Sequence, residues 1–339
     1  AFFCPRHRLA IGAHADTSTV RCCILHTGLP CVIRLIAIRI AWFASIILAV
    51  SLIVFTVIHL SGDPTDGFVE PGASPETIAA IRSKWGLDDS LPRQYLQFVG
   101  HAVQGDFGKS WRARTPALRL VLERMPATLE LTAMAVLLAL IFGLAIGLLT
   151  ARSRSPLGRM AGLGAMALGQ AIPSFWLGAM LVIVFAVRLQ WLPSSGRSDW
   201  TGLILPALTL ALQPAAMIAR LVFGQVSETL DADFIRTARS KGLDERTVVL
   251  RHALRPSLGP LLAFIGVQIG FLLGGAVVVE GVFAWPGVGL LALNAVQDRD
   301  LPVIQAFVVT LAVLIVSLTM IVDLLARTVD PRIRMGAAK

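Results

Sequence analysis

The sequence predicts an all-α integral membrane protein built around six transmembrane helices. Three observations predict it. The 339-residue chain is 55% hydrophobic and only 15% charged, where soluble domains usually carry about 25% charged residues. Six windows hold no Asp, Glu, Lys or Arg: Ile40–Ile58, Leu131–Thr150, Met160–Val187, Trp200–Ala219, Pro256–Val279 and Leu301–Val322. A helix rises 1.5 Å per residue, so about 20 residues cross a hydrocarbon core of about 30 Å, and each window meets that length or comes within a residue of it. No ten-residue segments alternate with period two, which argues against a β-barrel. Backbone groups in lipid must then be paired within helices.

In chain order, residues 1–31 form an atypical extension. All four cysteines (Cys4, Cys22, Cys23, Cys31) and three histidines (His7, His14, His26) lie there. The spacing fits no standard zinc pattern, and no continuous apolar core marks a signal peptide. The extension is expected to be disordered or not native, and Val32 looks like a natural start. Residues 32–60 are the first span, anchored at its inner end by Arg34 and Arg39 and closed by the turn Ser61-Gly-Asp-Pro64. Residues 61–127 are expected to be an extracytoplasmic helical segment. One helix is capped by Ser74 with Pro75 at its first position and Gly86 past its end. A second, amphipathic helix covers Leu91–Val99. A third covers Pro116–Met125 and lies near the membrane surface. Residues 128–334 hold the other five spans, with a cytoplasmic loop at 228–256, and 335–339 are a tail.

Lys and Arg set the orientation. With both termini in the cytoplasm, the inside loops hold Arg152, Arg154 and Arg159, then Arg236, Arg239, Lys241, Arg246, Arg251 and Arg255. The tail holds Arg327, Arg332, Arg334 and Lys339, whereas the short outside loops hold only Arg197 and Arg299, with Arg188 at a boundary. The net charge of +9 is therefore mostly a topology signal, and nucleic acid is not an expected partner.

Within the spans, glycines and glutamines stand out. Gly143 and Gly147 on the second span, and Gly266, Gly270 and Gly274 on the fifth, are four apart and line one helix face. That spacing suits close packing inside the subunit or a subunit interface. Gln170, Gln213 and Gln268 put one amide each in three spans. They can line a polar translocation path or hydrogen-bond between helices. Asp323, with Arg327 four residues on, reads as an ion pair at the inner end of the sixth span.

Catalytic patterns fail. Gly105-Asp-Phe-Gly-Lys-Ser110 resembles the end of a phosphate loop, but Val103 occupies the required first glycine. Gly287-Val-Gly289 lacks the third glycine of a dinucleotide site. His59 and His252 are isolated. A membrane-embedded enzyme would need converging ionisable residues within the spans. No catalytic residue, metal or cofactor is assigned to this chain, so any ATP must be hydrolysed by a separate protein.

The functional signal is the basic stretch Asp231–Pro256. Ile235–Lys241 can form a short helix with Asp231 or Asp233 favourable at its N-terminus. Gly242 is the expected left-handed stop. A second helix is expected over Asp244–Leu254, with Pro256 opening the next span. Phe234, Ile235, Ala238 and Leu243 can serve as apolar anchors in a groove on a soluble partner, and Arg236, Arg239 and Lys241 can meet its acids or lipid headgroups.

This stretch resembles the signature loop of the permease subunits of ATP-binding-cassette (ABC) importers, whose pattern is Glu-Ala-Ala, three residues, Gly, nine residues, then an apolar residue-x-Leu-Pro. Gly242, Ala238 and Leu254 match. Arg236 stands at the glutamate position, Thr237 at the first alanine and Arg255 at the proline. Those departures are similar to the dipeptide/oligopeptide/nickel branch, whose loop reads as Arg236–Leu243 does. Other stretches agree, among them Arg124-Met-Pro-Ala-Thr-Leu-Glu-Leu131, Pro173-Ser-Phe-Trp-Leu-Gly178, Gly274-Gly-Ala-Val-Val-Val-Glu280, Phe283-Ala-Trp-Pro-Gly287 and Asp330-Pro-Arg-Ile-Arg334. The resemblance covers about Val32 to Arg334 and is to the DppB/OppB type, which has the longer outer segment.

The resemblance implies the architecture of a type I (MetI-like) importer permease in a bacterial inner membrane. It implies one half of a heterodimeric pore for di- or oligopeptides. The implied partners are a second permease of DppC/OppC type, two ABC ATPases carrying the ATP and Mg, an extracytoplasmic peptide-binding protein and membrane lipid. A nickel or metal-chelate importer of the same branch is the alternative. Phe234–Arg239, Lys241–Leu243 and Leu254 would couple to the ATPases.

Overall fold

The computed structural model describes residues 41–53, 55, 56, 89–197 and 199–329, the last seven as backbone alone. The expectations for residues 1–31, the Ser74-capped helix, His59, the Asp323–Arg327 pair and the tail lie outside what is described.

All regular elements among the described residues are helical. They are α1 (Ala41–Ile53), α2 (Leu91–Val103), α3 (Ala117–Arg152), α4 (Pro156–Ala171) and α5 (Ser174–Leu181), which continues as wider π-helical turns over Val182–Arg188. A 3-10 turn at Trp200–Leu203 opens α6 (Ile204–Leu230). Then come α7 (Asp233–Ser240), α8 (Glu245–Val282), α9 (Val288–Gln297) and α10 (Leu301–Val329). Four helical runs are long and apolar enough to cross a membrane: α3, Trp200–Leu230, α8 and the Leu301–Val322 part of α10. The bent pair α4–α5 makes a fifth crossing if it counts as one span.

Three sequence expectations are corrected. The helix expected at Pro116–Met125 is the first part of α3, which runs through Pro126 to Arg152. Val121 and Met125 pack with Val288 and Val303 on one side of the proline, and Leu131 and Ala135 join the main core on the other. Both flanks are thus held in line. The window Met160–Val187 is not one straight span. Pro173 disfavours helical backbone at the residue before it. Ile172 is accordingly extended, at φ −75° and ψ 120°, and the two helices meet at 99°. The helix expected at Asp244–Leu254 does not end before the next span. It is the start of α8, whose π-helical turns at Val248–Ala253 run directly on into Leu254–Val282. Those wider turns lie just before Pro256, whose ring would otherwise press on the carbonyl one turn back.

Lipid tails are as apolar as leucine, so burial against water does not bind these helices to one another; close packing does. On α3, Leu131, Ala135, Ala139, Gly143 and Gly147 form a buried stripe four residues apart. A Cβ on Gly143 would lie 2.9 Å from the Ala215 carbonyl oxygen, and one on Gly147 would lie 2.7 Å from that of Ala219. The two backbones therefore nearly touch. Contacts advance together along α3 and α6, from Gly143/Ile218 to Gly147/Val222, so these helices are parallel. The pairs Gly275/Leu210 and Gln268/Met217 run in opposite senses, so α8 is antiparallel to α6. Gly266/Val322 and Gly270/Ile315 make α10 antiparallel to α8. The loop between α6 and α8 thus sits at one end of the bundle, with α9 at the other.

Candidate functional site

The loop end is built from Leu230 onward. Ala232 is the N-cap of α7, in extended backbone, and Asp233 occupies the first turn, where its charge suits the helix dipole. The eight-residue helix ends at Ser240, with Lys241 as its C-cap. Gly242 follows at φ +75°, the left-handed backbone that favours glycine, and donates its N–H to the Arg239 carbonyl. Asp244 caps the next turn by accepting from the Arg246 N–H. Arg239 spans the turn, donating to Glu245 at 2.8 Å, and the carboxylate raises the guanidinium above its ordinary pKa.

Burial divides the ten loop residues and revises one expectation. Ile235 is fully buried and Ala238 is buried; both join the core with Val226, Val248 and Ala253. They hold α7 onto the bundle and are not available as anchors for a partner. The reason is the helical period: positions 235 and 238 face one side, toward the π-helical turns. Leu254 packs, partly buried, against the same core. The opposite face presents Phe234, 51% exposed, with Arg236, Thr237, Arg239 and Lys241, and Leu243 lies exposed beyond Gly242.

The three glutamines do not converge on one open path. Gln213 is exposed and its Nε2 lies 3.5 Å from the Gln170 carbonyl oxygen. The Gln170 Nε2 is buried with no hydrogen-bond partner among the described residues. Gln268 is buried and donates to the Met217 sulfur at 3.5 Å, one helix turn along α6 from Gln213. Of the α8 glycines, Gly266 and Gly270 receive α10 side chains of this same chain, while Gly274 faces open space.

The far end holds a polar centre that sequence reasoning missed. Glu280, fully buried, accepts from the Thr128 hydroxyl at 2.5 Å and from the backbone N–H groups of Gly289 at 2.7 Å and Leu290 at 3.0 Å. Thr128 in turn accepts from the Val288 N–H at 2.9 Å. One carboxylate thus caps α9 and ties it to α3 and α8. Trp285 adds a bond from its indole N–H to the Ala127 carbonyl. A Cβ at Gly287 would collide with the Glu280 carboxylate, and one at Gly289 would lie 2.5 Å from the Val277 backbone. The signal was present: Glu280 stands one residue past a charge-free window, followed by two closely spaced glycines that leave it room.

Beside this centre, the stretch rejected as a phosphate loop folds back as a turn. Ser110 donates to Asp300 at 2.5 Å, and the Trp111 N–H donates to the same buried carboxylate. Arg112 pairs with Asp298. Between this turn, α3 and the end of α9 lies a cleft of about 560 Å³, whose polar lining includes Arg112, Arg124, Asn294, Gln297 and Asp298.

Comparison with known proteins places this architecture. The family model for the binding-protein-dependent transport system inner membrane component matches residues 143–335, and the N-terminal model of the same membrane component matches residues 32–132. A glutathione transport system permease protein, GsiC, of Salmonella choleraesuis (strain SC-B67) is 39% identical over 289 residues, covering 85% of this chain and 94% of that protein. Its counterpart in Escherichia coli (strain K12) is 40% identical over 286 residues, covering 84% and 94%. Among solved structures, an inward-facing conformation of the MetNI methionine ABC transporter aligns with a TM-score of 0.52 at 19% identity, covering 62% of this chain and 96% of that one. At that identity the likeness shows the fold alone.

Proposed function

The chain belongs to the family of binding-protein-dependent transport system inner membrane components, as a multi-pass inner-membrane permease subunit of an ABC importer and not an enzyme; from that premise we propose that it carries small peptides inward, driven by separate ATPases that dock on α7. The observation that carries the coupling role is the two-sided α7. Ile235 and Ala238 fasten it to the bundle, while Phe234, Arg236, Lys241 and Leu243 remain exposed. A short helix that exposes one apolar residue and several cations is suited to a groove on a soluble partner. The basic loop falls on the cytoplasmic side by the distribution of Lys and Arg.

The peptide cargo is supported by the relatives, which are named for transport of glutathione, a tripeptide. In this reading the chain works with two ATPases, an extracytoplasmic binding protein and a second permease of DppC/OppC type. The second permease, or lipid, would cover the exposed α8 stripe of Val267, Phe271, Gly274 and Val278. The six-span topology with both termini cytoplasmic belongs to the same proposal.

The test is Gly242→Val in the assembled transporter. The site is open, so no side chain is displaced. Only the backbone is strained, by about 1–2 kcal/mol. Stimulation of ATPase activity by peptide-loaded binding protein is expected to fall severalfold while the complex still assembles. Full stimulation in an intact complex sinks the coupling role.

A further inference from the structure

The far-end cleft has no part in the coupling reading. We infer that it is a transit subsite for the peptide itself, holding the C-terminal carboxylate at Arg124 and the amino terminus at Asp298; the inference rests on the peptide cargo proposed above.

The cleft's charges suit a zwitterion. Arg124 projects from α3 into the cleft, is exposed, and has no ion-pair or hydrogen-bond partner among the described residues. A guanidinium offers a fork of donors that matches a carboxylate. Asn294 and Gln297, both exposed on α9, add amide donors and acceptors beside it. Asp298 is the C-cap of α9, where the helix dipole already favours a cation. It pairs with Arg112, but a carboxylate has about four acceptor sites and can hold an ammonium as well. Asp300 also lines the cleft, with Ser110, but it is buried and occupied: it fixes the turn that carries Arg112 by accepting from Ser110 and Trp111. The lining is thus held in place by its own hydrogen bonds. The volume, about 560 Å³, falls within the roughly 300–1,000 Å³ of small-molecule sites. In the proposed topology the cleft opens on the extracytoplasmic side, where a binding protein would release its cargo.

The experiment is uptake into proteoliposomes holding the whole transporter, with binding protein saturated by one of two probes: a dipeptide with a free C-terminus, or the same dipeptide amidated. Wild type and Arg124→Gln share the binding protein, so its own preference cancels. Arg124→Gln is expected to slow the free-acid probe roughly tenfold, the worth of one charge-assisted hydrogen bond. The amidated probe should be unchanged, and Arg124→Lys should restore part of the difference. Equal slowing of both probes, or loss of ATPase stimulation by empty binding protein, assigns Arg124 to docking or folding and overturns the subsite. No change with either probe also overturns it. A wild-type transporter that takes up neither probe overturns the peptide reading, and the subsite with it.

Discussion

The two ends of α8 are held by opposite chemistries. At its last turn, Glu280 is fully buried and its carboxylate is satisfied by a hydroxyl and two backbone N–H groups from two neighbouring segments, α3 and α9. At its first turns, α7 is fastened by two apolar side chains, Ile235 and Ala238, and its polar groups face outward. A saturated buried polar cluster admits one geometry, because any displacement leaves a donor or acceptor orphaned in an apolar setting. An apolar fastening lacks that directionality, and it leaves the outer face free for a partner. The far end is therefore built to be fixed, and the loop end is the one the proposed function would engage.

Three substitutions test that contrast. The largest effect is expected from Glu280→Ala, which orphans the Thr128 hydroxyl and the N–H groups of Gly289 and Leu290. It should cost about 3 kcal/mol or more, seen as a lowered unfolding midpoint in detergent, and Glu280→Gln should recover part of it. An unaltered midpoint in Glu280→Ala would break the claim that the far end is the rigid one. Ile235→Ala removes a fully buried side chain and should cost about 2–4 kcal/mol. Its sharper signature is local: amide exchange should accelerate in α7 while the Val288–Gln297 helix keeps its protection. Uniform loss of protection would mean that the two ends are not separable. The smallest effect is expected from Arg239→Ala. The pair with Glu245 is exposed, and such pairs contribute about 0–1 kcal/mol, so stability should barely move. A loss above about 2 kcal/mol would show the loop end to be held by charge after all.

The contrast also explains what was legible in the sequence. The helical class, the spans at α3, α6, α8 and α10 and the stop at Gly242 follow from local rules: charge-free length, and a glycine after a short amphipathic run. What failed was non-local. Pro126 and Pro256 read as boundaries, but packing on both flanks and the π-helical turns carry helices through them. Pro173, read as part of a single span, is the proline that does break a helix. Ile235 and Ala238 were grouped with the exposed anchors because spacing alone does not say which face of a short helix meets the bundle. Glu280 was passed over because its partners lie nine or more residues away, on α9 and α3. Its meaning exists only once three segments meet.

Helix α8 has one further consequence. It runs without a break from the turn after Gly242 to the carboxylate that caps α9. Its 38 residues make a rod of roughly 57 Å at 1.5 Å each. A rod of that kind is a lever arm. In the proposed coupling, tilt imposed at the loop would arrive at the far cleft as a displacement proportional to length. The irregular points along the rod, the π-helical stretch Val248–Ala253 and Pro260, both lie in the half nearer the loop. A machine with its compliance beside the handle and a stiff arm beyond it delivers motion rather than absorbing it.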